Sequence, residues 1–89
     1  MPVVRFTPHL RMHLACPDLT VEGADVRAVL EAAFRAEPRL RSYVLDDQGA
    51  LRQHVTIFVN QELLRDRRRQ TDRVAADDEV FIFQALSGG

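Results

Sequence analysis

Two periodicities divide the chain, and the places where one gives way to the other outline its elements. Val3–Phe6 reads as a first strand and Leu19-Thr20-Val21-Glu22 as a second, separated by a polar, proline-marked segment longer than a tight hairpin. Gly23 breaks the pattern. Asp25 then stands where a helix N-cap is expected. Val26, Val29, Leu30, Ala33 and Phe34 follow the i, i+3, i+4, i+7, i+8 spacing that lays one apolar stripe along a helix. Arg27, Glu31 and Arg35 take the opposite face, and Pro38 ends the helix by driving Glu37 out of helical geometry. Residues 38–42 are expected to make a short helical turn, followed by Tyr43-Val44-Leu45 and the turn Asp46-Asp47-Gln48-Gly49. Val55–Val59 is β-branched or aromatic at every position, with Val55, Ile57 and Val59 on one face and Thr56 and Phe58 on the other. Asn60-Gln61 turns the chain into a hairpin arm, Glu62-Leu63-Leu64, and residues 65–73 form a polar loop. A final strand over residues 80–85 alternates Val80 and Ile82 with Phe81 and Phe83.

One amphipathic helix covers one face of a sheet. The order strand, strand, helix, strands therefore predicts a two-layer α+β domain with a mixed sheet. Val4, Phe6, Val55, Ile57, Val59, Val80 and Ile82 are the expected partners of the helix stripe. Phe58, Phe81 and Phe83 fall on the uncovered face, where Phe83 and Leu86 are the leading candidates for contact with a partner protein.

Eighty-nine residues make a single domain, residues 1–89, with residues 86–89 as a flexible tail. The net charge of −1 supplies no field to attract nucleic acid or an anionic membrane, so partners are recognised by shape. The first residues lack a signal peptide's apolar run and no segment matches a membrane span, which predicts a cytoplasmic protein. A lone cysteine, Cys16, suits that reducing compartment as a small buried or loop residue. Every basic residue is arginine and lysine is absent, so no side-chain amine exists for an activated carboxyl group to acylate.

Candidate chemistry concentrates at the end of the sequence. Ser87-Gly88-Gly89 follows the last apolar strand directly, which makes the Gly89 carboxylate the expected reactive group. A carboxylate is a poor electrophile and needs activation by another enzyme. Glycine allows the backbone to thread a narrow channel in that enzyme. Ser87 keeps the tail polar, and no nucleophile elbow or placed histidine makes it catalytic. Arg65, Arg67, Arg68, Arg69 and Arg73, around Asp66 and Asp72, read as a solvated charged loop, with an acidic patch on a partner as the functional alternative. His9 and His13 would lie about 13 Å apart in extended chain, and His54 stands alone, so no metal site is expected.

The strand V-T-I-F-V-N and the run D-D-E-V-F-I-F-Q-A-L-S-G-G resemble the sulfur-carrier family that includes the molybdopterin synthase small subunit and the thiamine sulfur carrier (MoaD/ThiS). The similarity spans nearly the whole chain and is sharpest over residues 55–89. It implies a ubiquitin-like β-grasp fold and a carrier protein rather than an enzyme, with no permanently bound cofactor. By that resemblance, a ubiquitin-activating-type adenylyltransferase uses ATP to adenylate Gly89. A sulfurtransferase or sulfide source then converts the terminus to a thiocarboxylate, and a sulfur-accepting synthase takes the sulfur. Gly88 shares the tail's role.

Departures from the family pattern stand out at three places. Asp77 replaces the glycine common in the turn before the last strand; aspartate is among the residues that tolerate a left-handed backbone. Gln84-Ala85 stands where proline is often found, which points away from the molybdopterin branch, and the insert at residues 47–52 is unlike the compact thiamine carriers. The insert is more like carriers that serve cysteine formation or other sulfur-containing metabolites. Two further functions fit the same sequence: a ubiquitin-like modifier joined through Gly89 to lysines of target proteins, and a non-covalent interaction module with an inert tail.

Overall fold

The computed structural model describes residues 1–6 and 18–84. The expectations for His9, His13, Cys16, Ala85, Leu86, Ser87, Gly88 and Gly89 lie outside the described residues. Five strands and two helices follow in the order β1 (Val3–Phe6), β2 (Leu19–Thr20), α1 (Val26–Ala36), α2 (Leu40–Val44), β3 (Val55–Val59), β4 (Glu62–Leu63) and β5 (Glu79–Gln84). The strands make one mixed sheet in the order β2-β1-β5-β3-β4. The last strand is thus the central one, parallel to β1 and antiparallel to β3. Its inward residues Val80 and Ile82 are sealed from solvent, and both of its edges are hydrogen-bonded.

α1 forms where the periodicity places it. Asp25 adopts an extended backbone and its carboxylate accepts the Ala28 N–H at 2.7 Å, satisfying one of the donors that the first helical turn leaves unpaired. At the other end the Glu37 N–H closes on the Ala33 carbonyl before Pro38 stops the helix. The full stripe Val26, Val29, Leu30, Ala33 and Phe34 is buried against Val4, Phe6, Val55, Ile57, Val80 and Ile82, as the apolar pattern requires.

Several boundaries differ from expectation, each for a local reason. Val59 only rims the core, because it is the last residue of β3 before the Asn60 turn. β2 is limited to Leu19–Thr20, since the N–H of Val21 turns to the Pro2 carbonyl and its side chain drops into the core. α2 runs through Tyr43 and Val44 because Leu40 and Val44, one turn apart, are both buried. β5 starts one residue early, at Glu79. Asp77 needs no left-handed backbone: among the described residues the non-glycine positive φ angles belong to Asn60 and Gln70. Asp78 holds that turn instead, its carboxylate accepting the Ala75 N–H at 2.8 Å.

Candidate functional site

Side chains that alternate away from α1 build the outer face of the sheet. The ladder aligns Phe81 with Arg5 on one side and Phe58 on the other, and Phe58 in turn with Leu63, so an apolar row crosses β5, β3 and β4. Phe83 stands over this row, with its ring 5.5 Å from that of Phe58 in an edge-to-face arrangement and 6.2 Å from that of Phe81 in a stacked one. Phe83 is 39% exposed and Leu63 56%, whereas Phe58 and Phe81 are half-buried. The three phenylalanines expected on one face are therefore one cluster. Leu63 was not anticipated there, although a two-residue turn at Asn60-Gln61 pairs Val59 with Glu62 and Phe58 with Leu63, which identifies its face.

A groove continues from this cluster past the β3–β4 turn to the loop over residues 65–73, lined by Glu62, Arg65, Asp72, Arg73 and Asp78 as well as the phenyl rings. Asn60 and Asp78 fasten its floor. The Asn60 side-chain amide donates to the Asp78 carboxylate at 2.8 Å, and the Asn60 amide oxygen accepts the Glu79 N–H at 3.0 Å. The Ala75 N–H, with Asn60 second, holds the Asp78 carboxyl below its usual range. On the far side of β5, Arg5 bridges Glu79 and Asp18 at the surface.

The charged loop is not a simple solvated run. Gln70, within the cluster of arginines, is fully buried with φ 54°. Its side-chain oxygen accepts from Arg27 at 2.8 Å, and its side-chain nitrogen donates to the Arg67 carbonyl at 2.7 Å. Arg67 itself donates to the carbonyls of Arg52 and Val55. Asp72 accepts the N–H groups of Arg65 and Asp66, while Asp66 accepts those of Arg68 and Arg69 and the Thr71 hydroxyl. The Thr71 hydroxyl first, then the Arg69 N–H, lowers the Asp66 carboxyl below its usual value. A depressed carboxylate contributes its stabilisation above the ordinary aspartate pKa and loses it as pH falls through the lowered one. Titration followed by the amide shifts of Arg68 and Arg69 is therefore expected to show a single step with a midpoint below about 3.9. That step disappears in Asp66→Asn; a midpoint at or above the free value contradicts the assignment.

Among the described residues no group of three His, Cys, Asp or Glu side chains converges as a metal site, and no helix is long and apolar enough to cross a membrane. β5 leads from the centre of the sheet to Gln84, so residues 85–89 follow directly from the element held on both sides.

Comparison with known proteins gives the following likenesses. The model of the ThiS family matches residues 16–89. The fold is that of SAMP1, small archaeal modifier protein 1, from Haloferax volcanii, with 28% identity, 99% of this chain and 98% of that one covered, and a TM-score of 0.79. A chain of the Amycolatopsis orientalis BexX/CysO complex is 20% identical over 100% of both chains, with a TM-score of 0.84. CysO from Mycobacterium tuberculosis is 24% identical over 97% of this chain and 100% of its own, with a TM-score of 0.81. A search of curated proteins gives no match.

Proposed function

Because the chain belongs to the ThiS family, we propose that it is a sulfur carrier whose Gly89 carboxylate is activated by a partner enzyme and loaded with sulfur. The observation that carries this reading is the position of β5, the strand that precedes residues 85–89 in sequence. It lies at the centre of the sheet, locked by ladders to β1 and β3. A partner that grips the domain thereby fixes Gln84, five residues before Gly89 in sequence, relative to its own active site.

The chemistry proceeds in two exchanges. A Gly89 carboxylate oxygen attacks the α-phosphorus of ATP and pyrophosphate leaves, giving an acyl-adenylate. Sulfide then attacks the acyl carbon, the new C–S bond forming as the C–O bond to AMP breaks, and the product is a thiocarboxylate; a persulfide donor gives an acyl disulfide first, whose S–S bond a second thiol cleaves, leaving the thiocarboxylate and a disulfide. The chain supplies the acyl group and the docking surface, and partner enzymes supply catalysis: an adenylyltransferase of the ubiquitin-activating type, a sulfurtransferase or sulfide source, and a synthase that accepts the sulfur. Intact-mass analysis after incubation with ATP, the activating enzyme and a sulfur donor tests this. A mass gain of sulfur for oxygen on the free chain supports it, and an unchanged mass with an enzyme that is active on its other substrates overturns it. A second reading is protein modification, favoured by one likeness: a 28%-identical structure is of SAMP1, named as a small archaeal modifier protein. Covalent adducts of Gly89 on lysines of other proteins, in place of a sulfur-bearing free chain, would establish it.

Phe83, with Phe58, Phe81 and Leu86, is the proposed docking surface for these partners. Phe83 is 39% exposed and outside the core, so Phe83→Asp is expected to lose two ring contacts, about 0.5 to 1.5 kcal/mol each beyond the area they bury, and to remain folded. Removing an exposed aromatic anchor from an interface costs about 2 kcal/mol or more, a loss of affinity of roughly 30-fold. Calorimetric titration with the activating enzyme, beside a melting curve, separates the two effects. Wild-type affinity in the variant would remove Phe83 from the interface.

A further inference from the structure

Two groups of arginines in this domain differ sharply in their contacts. Arg27, Arg52 and Arg67 have jobs inside the fold, each donating from its guanidinium to backbone carbonyls. Arg35, Arg65, Arg68, Arg69 and Arg73 are exposed, and among the described residues their side chains have no hydrogen-bond or ion-pair partner. At these five positions the fold asks only for a solvated positive charge, which lysine supplies equally well, yet lysine is absent from the whole sequence. Arg65 and Arg73 also line the groove beside the aromatic cluster.

Resting on the reading of Gly89 as an activated acyl group, we infer that this surface makes the chain an acyl donor that offers no side-chain amine as acceptor: its activated terminus forms no isopeptide bond to a second copy. An isopeptide bond to a side chain requires an unprotonated nitrogen. That nitrogen attacks the terminal carbonyl, the C–N bond forms, the bond to the leaving group breaks, and the amine proton leaves with it. At pH 8 about 0.4% of lysine amines are unprotonated, against roughly 0.003% or less of guanidinium groups. One exposed lysine therefore outweighs all twelve arginines together by about tenfold or more. A single Arg-to-Lys change, neutral for the fold, is enough to open self-acylation.

The test uses the full chain prepared chemically as a thioester at Gly89, as wild type and as Arg35→Lys and Arg68→Lys, each held alone at pH 8. Melting curves confirm that each variant is folded as wild type. Both variants are expected to form covalent dimers, with an isopeptide bond mapped by peptide mass analysis to the new lysine, at least about tenfold faster than any side-chain adduct appears in wild type. Equal rates of side-chain adduct formation in wild type and variants, or no adduct on either lysine, would overturn the inference. Because the thioester is made without any enzyme, failure of ATP-dependent sulfur loading would overturn the carrier reading without altering this result.

Discussion

Removal of Gly88 and Gly89 is expected to abolish ATP-dependent sulfur loading completely while leaving the melting temperature at its wild-type value. The two effects separate because the fold and the chemistry occupy different parts of the chain. Every buried side chain among the described residues lies between Pro2 and Ile82, and β5 completes its ladders with β1 and β3 by Gln84. The proposed acyl group, Gly89, lies five residues further on in sequence, and neither glycine carries a side chain to bury. Shortening the chain leaves Ser87 as the terminal residue. Its carboxylate sits two residues back, about 7 Å of extended chain, where it cannot reach the position the enzyme reserves for Gly89, and its Cβ adds bulk that glycine lacks. A companion variant, Gly88→Val, keeps the length and tests the threading requirement alone; it is expected to retain docking and lose most loading. Intact mass reads the sulfur and calorimetric titration reads the docking. Sulfur uptake by the shortened chain at the wild-type rate would show that the reactive group lies elsewhere and would end the carrier reading.

What the sequence discloses follows from how local each feature is. α1 was legible from Asp25 to Pro38 because its cap and its stop act within one turn and its stripe repeats at the helical spacing between them. The outer-face cluster was legible for a similar reason. The strand period assigns Phe58, Phe81 and Phe83 to one side, and a single helix leaves that side uncovered. The position of β5 at the centre of the sheet was not legible. Strand order depends on which edges meet in space, and nothing in residues 79–84 distinguishes a central strand from an edge strand that is equally apolar. The resemblance to carriers supplied the fold name, and the matching family model and the SAMP1 likeness agree with it. Gln70 was hidden for a different reason. It sits in a run of arginines and aspartates that reads as a solvated loop, and its burial comes from Arg27 on α1, Gly49 in a turn and Arg67 in its own loop converging from three places. No window of sequence contains that convergence.

Gln70 is also where the largest stability loss from one polar side chain is expected. Gln70→Ala removes both partners at once. The Arg27 guanidinium keeps the Gly49 carbonyl but loses its 2.8 Å acceptor, the Arg67 carbonyl loses its 2.7 Å donor, and a space the size of the deleted amide opens beneath the loop. The Arg67 carbonyl keeps the Leu51 N–H, so no group is left bare; the lost bond to the charged guanidinium contributes about 1.5 to 3 kcal/mol and the amide–carbonyl bond about 1 kcal/mol, with the cavity adding to them. The sum is about 3 kcal/mol, which lowers the melting temperature of a domain of this size by roughly 12 to 24 °C. The left-handed backbone at φ 54° is not the cause, since alanine and glutamine bear the same penalty there. Gln70→Met separates packing from hydrogen bonding: it restores most of the volume and neither bond, and is expected to recover less than half of the loss. The backbone N–H of Arg27 donates to the Gln70 carbonyl and that of Leu51 to the Arg67 carbonyl, so loosening this point frees the loop from both α1 and the turn that precedes β3. Because Arg65, Asp72 and Arg73 of that loop line the groove beside Phe83, Gln70→Ala is further expected to weaken docking to the activating enzyme at a temperature where the domain remains folded. A methionine variant as stable as wild type would show that shape alone, and not the polar network, holds the loop in place.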